Sequence, residues 1–216
     1  MDATLSATQS VEQRTVDLLE LTDEQLLLRY RESAEREAFA ELVRRYEREL
    51  YSYLRRYLGS TEMAEDAFQA VFLQVHLKCD LFEAGRRVRP WLYAIATNQA
   101  IDAQRRNRRH RMVSLDQVGR TTLPDETRDY AEAMVSSEPD PQASAGDHER
   151  NELLRQAMDQ LSDQMRSVIH LVYYQGLKYR EAAEIMAIPV GTVKSRLHTA
   201  VTRLAEFWNR NHPDLD

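Results

Sequence analysis

The chain has 216 residues, 43% hydrophobic and 30% charged, with six glycines, six prolines and one cysteine. A single cysteine excludes an intrachain disulfide and a cysteine-clustered zinc site. The polar, acidic start "MDATLSATQSVEQ" lacks the basic head and apolar run of a secretory leader, and no apolar run has the roughly 18 residues of a spanning helix, so a soluble cytoplasmic protein is expected.

The net charge of −6 argues against nucleic acid only if it is evenly spread. Residues 1–112 balance 18 cations against 18 acids, residues 113–147 hold two against eight, and residues 148–212 hold nine against seven. The deficit sits mainly in the middle, leaving the flanks free to carry basic surfaces.

Residues 1–21 read as a loosely ordered, partly helical lead-in. Thr22 opens the first helical run, with Gln25 three residues on in a capping-box pattern. Leu26, Leu27, Phe39, Leu42, Val43, Tyr46, Leu50 and Leu54 recur at helical spacing until Gly59. "STEMAEDAFQAVFLQVHLKC" is a further helix, capped by Ser60 or Thr61 and acidic in its first turns; Cys79 at its end reads as a small buried apolar residue. "DLFEAGRRVRP" is a loop, and Pro90 stands at the start of a helix over "WLYAIATNQAIDAQRRNRRHR". Periodicity is lost from Val113 to about Gly146, where Pro124, Pro139 and Pro141 lie among Ser, Thr, Asp and Glu. It returns in "ERNELLRQAMDQL" and in "SDQMRSVIHLVYYQG", the latter capped by Ser162. Two short helices, about 178–187 and 190–208, follow.

Strand alternation is absent. The expected fold is all-α: two small helical domains, residues 22–112 and 148–210, joined by a flexible acidic linker over 113–147. The C-terminal domain contains a helix-turn-helix; residues 1–21 are an extension and 211–216 a tail.

On a helix, "VGTVKSRLHTAVTRLAEFW" aligns Val190, Val193, Leu197, Val201, Leu204 and Trp208 in one stripe. Thr192, Ser195, Arg196, Thr199 and Arg203 fall opposite, with Lys194 and His198 at the edges. The helix before it buries Ala182 or Ala183, Ile185 and Met186. A DNA-reading helix needs this arrangement: an apolar anchor, short polar residues that admit the groove, and cations for bases and phosphates. A helix that merely closes a bundle has the same period. The tight turn at Ile188–Pro189 and the Lys-Ser-Arg cluster favour DNA.

Residues 86–111 hold eight arginines, among them Arg86, Arg87, Arg105, Arg106 and Arg109, against the single acid Asp102. Trp91, Asn98, Asp102, Arg105 and Arg109 share a helix face; Leu92, Ile95, Ala96, Ala100 and Ala103 pack behind. Arginines for phosphates, an amide for an unstacked base and aromatics for stacking suit single-stranded or distorted DNA. The blander alternatives are a core Trp91, an Asp102 paired with Arg105 or Arg106, and a solvated helix end.

Two other classes fit parts of this pattern. A helix-turn-helix regulator binding duplex DNA as a dimer explains the C-terminal half only. A recombinase-like enzyme needs a nucleophile or carboxylate cluster; the six histidines show no metal-ligand spacing and no Gly-rich phosphate loop is present. Nothing calls for a cofactor or metal.

Together, "AEDAFQAVFLQVH", "RPWLYAIATNQAIDAQRRNRR" and "LSDQMRSVIHLVYYQGLKYREAAEIMAIPVGTVKSRLHTAVTRL" resemble a bacterial RNA polymerase sigma factor of the extracytoplasmic-function type of the sigma-70 family. The resemblance covers about residues 22–112 and 148–210. It implies no catalytic site, with core RNA polymerase and promoter DNA as partners. Glu65, Asp66, Gln69 and Phe72 match the polymerase-contact motif. Arg86 and Arg87, in the loop before the second string, and Asn98, Arg105, Arg106 and Arg109, within it, stand where the family captures the −10 strand. Thr192, Lys194, Ser195, Arg196, His198 and Thr199 stand where it reads the −35 element. The resemblance sends the acidic linker toward the polymerase active-centre cleft; a solubilising tether fits its composition equally. A dedicated anti-sigma factor is common in the family, and no residue here identifies one. Ala187 departs from the pattern, standing where the family often has Gly, as does "QAVF" after the acidic start of its motif.

Overall fold

The computed structural model describes residues 18–117 and 153–211, and every element assigned among them is helical. The expectations for residues 1–17, for most of the linker (118–152) and for 212–216 lie outside the described residues.

Four helices build the N-terminal lobe. Helix α1, Asp23–Ser33, begins with the expected capping box: the Thr22 N–H donates to Gln25 Oε1 (2.8 Å), and the Gln25 N–H to Thr22 Oγ1 (3.3 Å). The single run expected up to Gly59 is broken at Ala34, a left-handed residue (φ 52°) whose N–H donates to the Tyr30 carbonyl. Helix α2, Arg36–Leu58, then turns back and ends on Gly59, also left-handed at φ 72°. Its buried face follows two rows spaced by threes and fours, Leu42, Tyr46, Leu50 and Leu54 in one and Leu50, Tyr53 and Tyr57 in the other. Helix α3, Thr61–Lys78, is capped by the Ser60 hydroxyl accepting from the Met63 N–H.

A 3₁₀ turn, Cys79–Leu81, leads to the loop before α4, Val88–Gln117. Helix α4 starts three residues before Trp91. Its first N–H, on Val88, donates to Glu24 Oε1 of α1 (3.0 Å), so an acid from a distant helix serves as cap. Pro90 lies within the first turn, where a missing N–H costs nothing. The helix runs five residues past the expected linker boundary. Cys79 is buried, its thiol donates to the His76 carbonyl, and burial pushes its pKa up, as a packing residue requires.

The C-terminal lobe has a helical segment over 153–159, then α5, Asp163–Ile169, capped by Ser162 as expected. A π turn, His170–Tyr174, leads to α6, Tyr179–Met186, and α7, Val190–Asn211. The side chain buried deepest in charge terms is Arg166, 1% exposed, which fills the lobe between α5 and the carbonyls of Met158 and Leu161.

The two lobes share one apolar core. Tyr57 of α2 puts its hydroxyl 2.9 Å from Ser167 Oγ of α5, both buried. The His170 ring lies 4.7 Å from Tyr57, 5.1 Å from Tyr174 and 6.5 Å from Tyr53. Neither of its ring nitrogens finds a hydrogen-bond partner among the described residues. Burial, with repulsion from Arg166 and Arg56, pulls its pKa from 6.5 to about 3. The imidazole is therefore neutral when folded and titrates normally when unfolded. Its contribution is complete above pH 6.5 and drains away as the pH falls toward 3. By pH 5 the folded chain should lose about 2 kcal/mol from this group alone. Urea titrations at pH 7.5 and pH 5 on wild type and His170→Phe test this. Phe suits the aromatic, partner-free site, and its smaller acid loss is the expected result; equal losses would refute the assignment.

Candidate nucleic-acid interface

The helix-turn-helix is built as its spacing suggests. Helix α6 buries Ala182, Ala183 and Ile185, while Met186, expected in the buried face, is only half-buried. It ends at Ala187, in the left-handed region at φ 51°, with the Ile188 N–H donating back to the Ala183 carbonyl (3.0 Å). This conformation explains why Gly suits position 187: an L side chain there is strained by about 1–2 kcal/mol. Ala187→Gly should gain about 0.5–1 kcal/mol in urea unfolding, the extra freedom of the unfolded glycine offsetting part of the relief. No gain would show that the turn carries no such strain.

Helix α7 buries Val193, Leu197, Ala200 and Phe207. Two members of the expected stripe are therefore corrected. Val201 is 41% exposed, and Trp208 gives way to Phe207 as the fully buried aromatic. The steps 193, 197, 200, 204, 207 follow the helix more closely than a run of fours, which drifts round it. On the outer face, Lys194, Ser195 and His198 are exposed, and Thr192, Arg196 and Thr199 half-exposed. The Ser195 hydroxyl donates to the Thr192 carbonyl (3.1 Å) and the Thr199 hydroxyl to the Ser195 carbonyl (3.0 Å). Their protons are engaged within the helix, leaving oxygen lone pairs outward. The Lys194 ammonium lies 5.9 Å from the Tyr179 ring.

Helix α4 buries Leu92, Ile95, Ala96 and Ala100, as expected, and leaves Asn98, Arg105, Arg106 and Arg109 exposed. Trp91 is half-buried, its ring 5.2 Å from Phe82, which makes it a packing residue. Asp102 is exposed, and Arg105 pairs instead with Asp163 of α5, Nε to Oδ2 at 3.0 Å, where Arg108 joins at 3.4 Å. The Arg109 guanidinium donates to the Arg105 carbonyl. In the preceding loop, Arg86 faces Glu83 at 3.9 Å, while Arg87 reaches Glu184 (3.0 Å) and Glu181 (3.7 Å) of α6. Arg89 is held between Glu49 and the Tyr93 ring. The Tyr93 hydroxyl donates to the same Glu49 (2.6 Å), and burial together with that carboxylate drives its pKa far up.

On α3, Glu65, Asp66 and Gln69 are exposed. Phe72 is the exception. It is 8% exposed, with its ring 5.0 Å from Phe68 and 6.2 Å from Phe39. Position 72 adjoins the buried line of Ala64, Ala67, Val71 and Val75, so its ring packs inward, away from the exposed face that carries Glu65, Asp66 and Gln69. Glu65 and Gln69 border a groove of about 450 Å³ with Phe68 of α3 and Glu47, Arg48 and Tyr51 of α2. Sequence reasoning missed these α2 residues. Their outward, polar positions carry no period that ties them to α3.

The sigma-70 region 2 profile matches residues 42–110, spanning most of α2 through α4, and the sigma-70 region 4 profile matches residues 151–204, spanning the helix-turn-helix. The chain is 32% identical over 164 residues to the ECF RNA polymerase sigma factor SigW of Bacillus subtilis, covering 76% of this chain and 85% of that protein. It is 35% identical over 156 residues to the ECF sigma factor SigL of Mycobacterium tuberculosis, covering 72% and 80%. The chain belongs to the ECF sigma factors of the sigma-70 family. Among solved structures, the sigma factor RpoE bound to the anti-sigma factor NepR, from Bartonella quintana, superposes with a TM-score of 0.53 at 25% identity, over 79% of this chain and 96% of that one. CnrH in complex with the cytosolic domain of CnrY has the same fold, with a TM-score of 0.59 at 21% identity, over 87% and 97%. As a sigma factor, the chain binds core RNA polymerase and directs promoter recognition and transcription initiation. The region 2 match removes the free-standing regulator, which leaves α2–α4 without a purpose. No described helix is long and apolar enough to cross a membrane.

Proposed function

We propose that this sigma factor divides promoter reading between two surfaces and docks to polymerase through a third. The carrying observation is the outward display of polar and cationic side chains on two separate helices, each anchored by a buried apolar face. Residues 22–112 form the −10 and polymerase-binding unit, and residues 148–210 the −35 unit. Helix α7 enters the −35 major groove, where Lys194 and Arg196 meet bases or phosphates and Thr192, Ser195, His198 and Thr199 line the approach. Asn98, Arg105, Arg106 and Arg109, with Arg86 and Arg87 before the helix, hold the −10 strand. Glu65, Asp66 and Gln69 contact core polymerase, with Phe72 holding their helix in place.

The chain performs no chemistry of its own in this reading; it positions DNA for polymerase, in the cytoplasm. Two structural neighbours were solved with the anti-sigma factor NepR and with the cytosolic domain of CnrY, and an anti-sigma factor is proposed here by that analogy. In vitro transcription with core polymerase and a randomised promoter library tests the whole scheme. Enrichment of promoters with two spaced elements is expected. Initiation no more selective than with core polymerase alone would end it.

A further inference from the structure

Two side chains of α1 grip the main chain of the loop that leads into α4. Glu24 and Arg31 are seven residues apart, about two helical turns and roughly 10 Å, so they project from the same side of α1. Glu24 Oε1 accepts from the Val88 N–H at 3.0 Å, and Arg31 Nη1 donates to the Phe82 carbonyl at 2.9 Å. Both gripped residues are buried, and the Phe82 ring lies 5.2 Å from Trp91. The residues between them, 83–87, are all exposed. The six steps from Phe82 to Val88 span about 20 Å when fully extended, so grips this close leave slack. The chain takes it up in a tight turn. The Arg86 N–H donates to the Glu83 carbonyl at 3.2 Å, and Gly85 is left-handed at φ 91°, as a type II turn requires of its third residue.

We propose that Glu24 and Arg31 are positioning residues for −10 recognition: from α1 they fix the exposed turn that carries Arg86 and Arg87. The proposal rests on the −10 reading of that loop. Helix α1 holds none of the residues assigned to DNA or polymerase, so these two act through the loop and not by touching a partner. Two main-chain grips, a left-handed glycine and two buried flanking side chains restrict the turn before any strand arrives. The cost of ordering it then falls on folding and not on binding. An unstacked base profits most, because its hydrogen bonds tolerate little displacement. The two grips make different demands. Glu24 needs only an acceptor oxygen, since the Val88 N–H is one of the donors that a helix start leaves without a partner in the helix. Arg31 must bring a donor to the Phe82 carbonyl across the gap between α1 and the loop. Both effects are local to the −10 side. Helix α7 lies in the other lobe and should read its element as before.

The test is in vitro transcription with core polymerase and the randomised promoter library, read by sequencing the promoters that fire. One reaction reports base preference at both elements. Arg31→Met keeps the aliphatic stem and loses the donor, Glu24→Ala loses the acceptor, and Glu24→Gln keeps Oε1. With either grip removed, preference at the most selective −10 position should fall roughly fivefold, while −35 preference stays as in wild type. Glu24→Gln should behave like wild type. Unchanged −10 preference in Arg31→Met and Glu24→Ala overturns the proposal. Equal flattening at both elements overturns it too, because a weakened fold would do the same, and so does Glu24→Gln failing as Glu24→Ala does. If Glu24→Ala does not fold, Arg31→Met carries the test, since that side chain is 27% exposed and its stem is retained. The −10 reading of the loop is judged apart, by Arg86→Ala with Arg87→Ala. Output and −10 preference both intact there remove that reading, and the positioning role with it. A loss there, with Arg31→Met and Glu24→Ala like wild type, removes only the positioning role.

Discussion

Arg166→Ala is expected to destabilise the C-terminal lobe by about 2–5 kcal/mol, a large share of a small domain's stability. The Arg166 side chain is 1% exposed. Its Nε and Nη2 donate to the Met158 carbonyl at 3.2 and 2.9 Å, and Nη2 also reaches the Leu161 carbonyl at 3.5 Å. These carbonyls lie at the C-terminal end of the 153–159 helix, where four acceptors lack partners within the helix and the dipole is negative. The guanidinium therefore both caps that helix and fills the space beneath α5. Alanine would take the guanidinium from the Leu161 carbonyl, leave the Met158 carbonyl only the Leu161 N–H (3.1 Å), and open a cavity at once. Asp159, 3.5 Å away, is half-exposed and can return to water, so it adds little to the cost.

Arg166→Met separates the two effects: it keeps most of the volume and loses the hydrogen bonds and the charge, for about 1–3 kcal/mol. Urea unfolding gives the sizes, and hydrogen exchange should show the loss first in residues 153–161. A change below about 1 kcal/mol for Arg166→Ala would contradict the capping role. The methionine variant should also let the His170 pKa rise, because Arg166 is the larger of the two charges holding it down.

Arg166 also shows where sequence reading stops. In "SDQMRSVIH" it looks like any solvated helix cation, because its partners are main-chain carbonyls, and a carbonyl leaves no mark on a sequence. Local chemistry was legible. The Thr22–Gln25 box, the Ser60 and Ser162 caps, the Gly59 stop and the buried faces of α4 and α6 all follow from neighbours within one or two turns. The break at Ala34 was not legible, since an alanine held left-handed gives no warning that a glycine would give. The helix-turn-helix was placed to within a few residues, and its stripe erred where steps of four drift off a 3.6-residue turn. The candidate surfaces were visible as clusters of residue types. That Arg87 faces Glu184 was not, since 97 positions separate them and periodicity reports only local neighbours.

Lys194→Ala with Arg196→Ala is expected to lower −35-dependent transcription about 100-fold while leaving polymerase binding intact. Each cation on a groove-reading helix is worth roughly 1–3 kcal/mol when it meets a base edge, so the two together span about 2–6 kcal/mol and a 100-fold fall, about 2.7 kcal/mol, lies near the lower end of that range. If one or both meet phosphates instead, the salt dependence reveals it: each lost phosphate contact reduces the slope of log affinity against log salt by about 0.9. The fold should not suffer. Val193 and Leu197, which anchor the helix, are untouched, Lys194 is exposed, and Arg196 is half-exposed. Polymerase binding should survive because Glu65, Asp66 and Gln69 lie on α3, in the other lobe. Three measurements on one variant settle the matter: unfolding in urea, affinity for core polymerase, and run-off transcription from promoters with and without a −35 element. The fall should vanish on the promoter lacking that element. A fall of equal size on both promoters would move the two cations from sequence reading to some general step of initiation. A matching loss of polymerase affinity would place them on the wrong surface altogether.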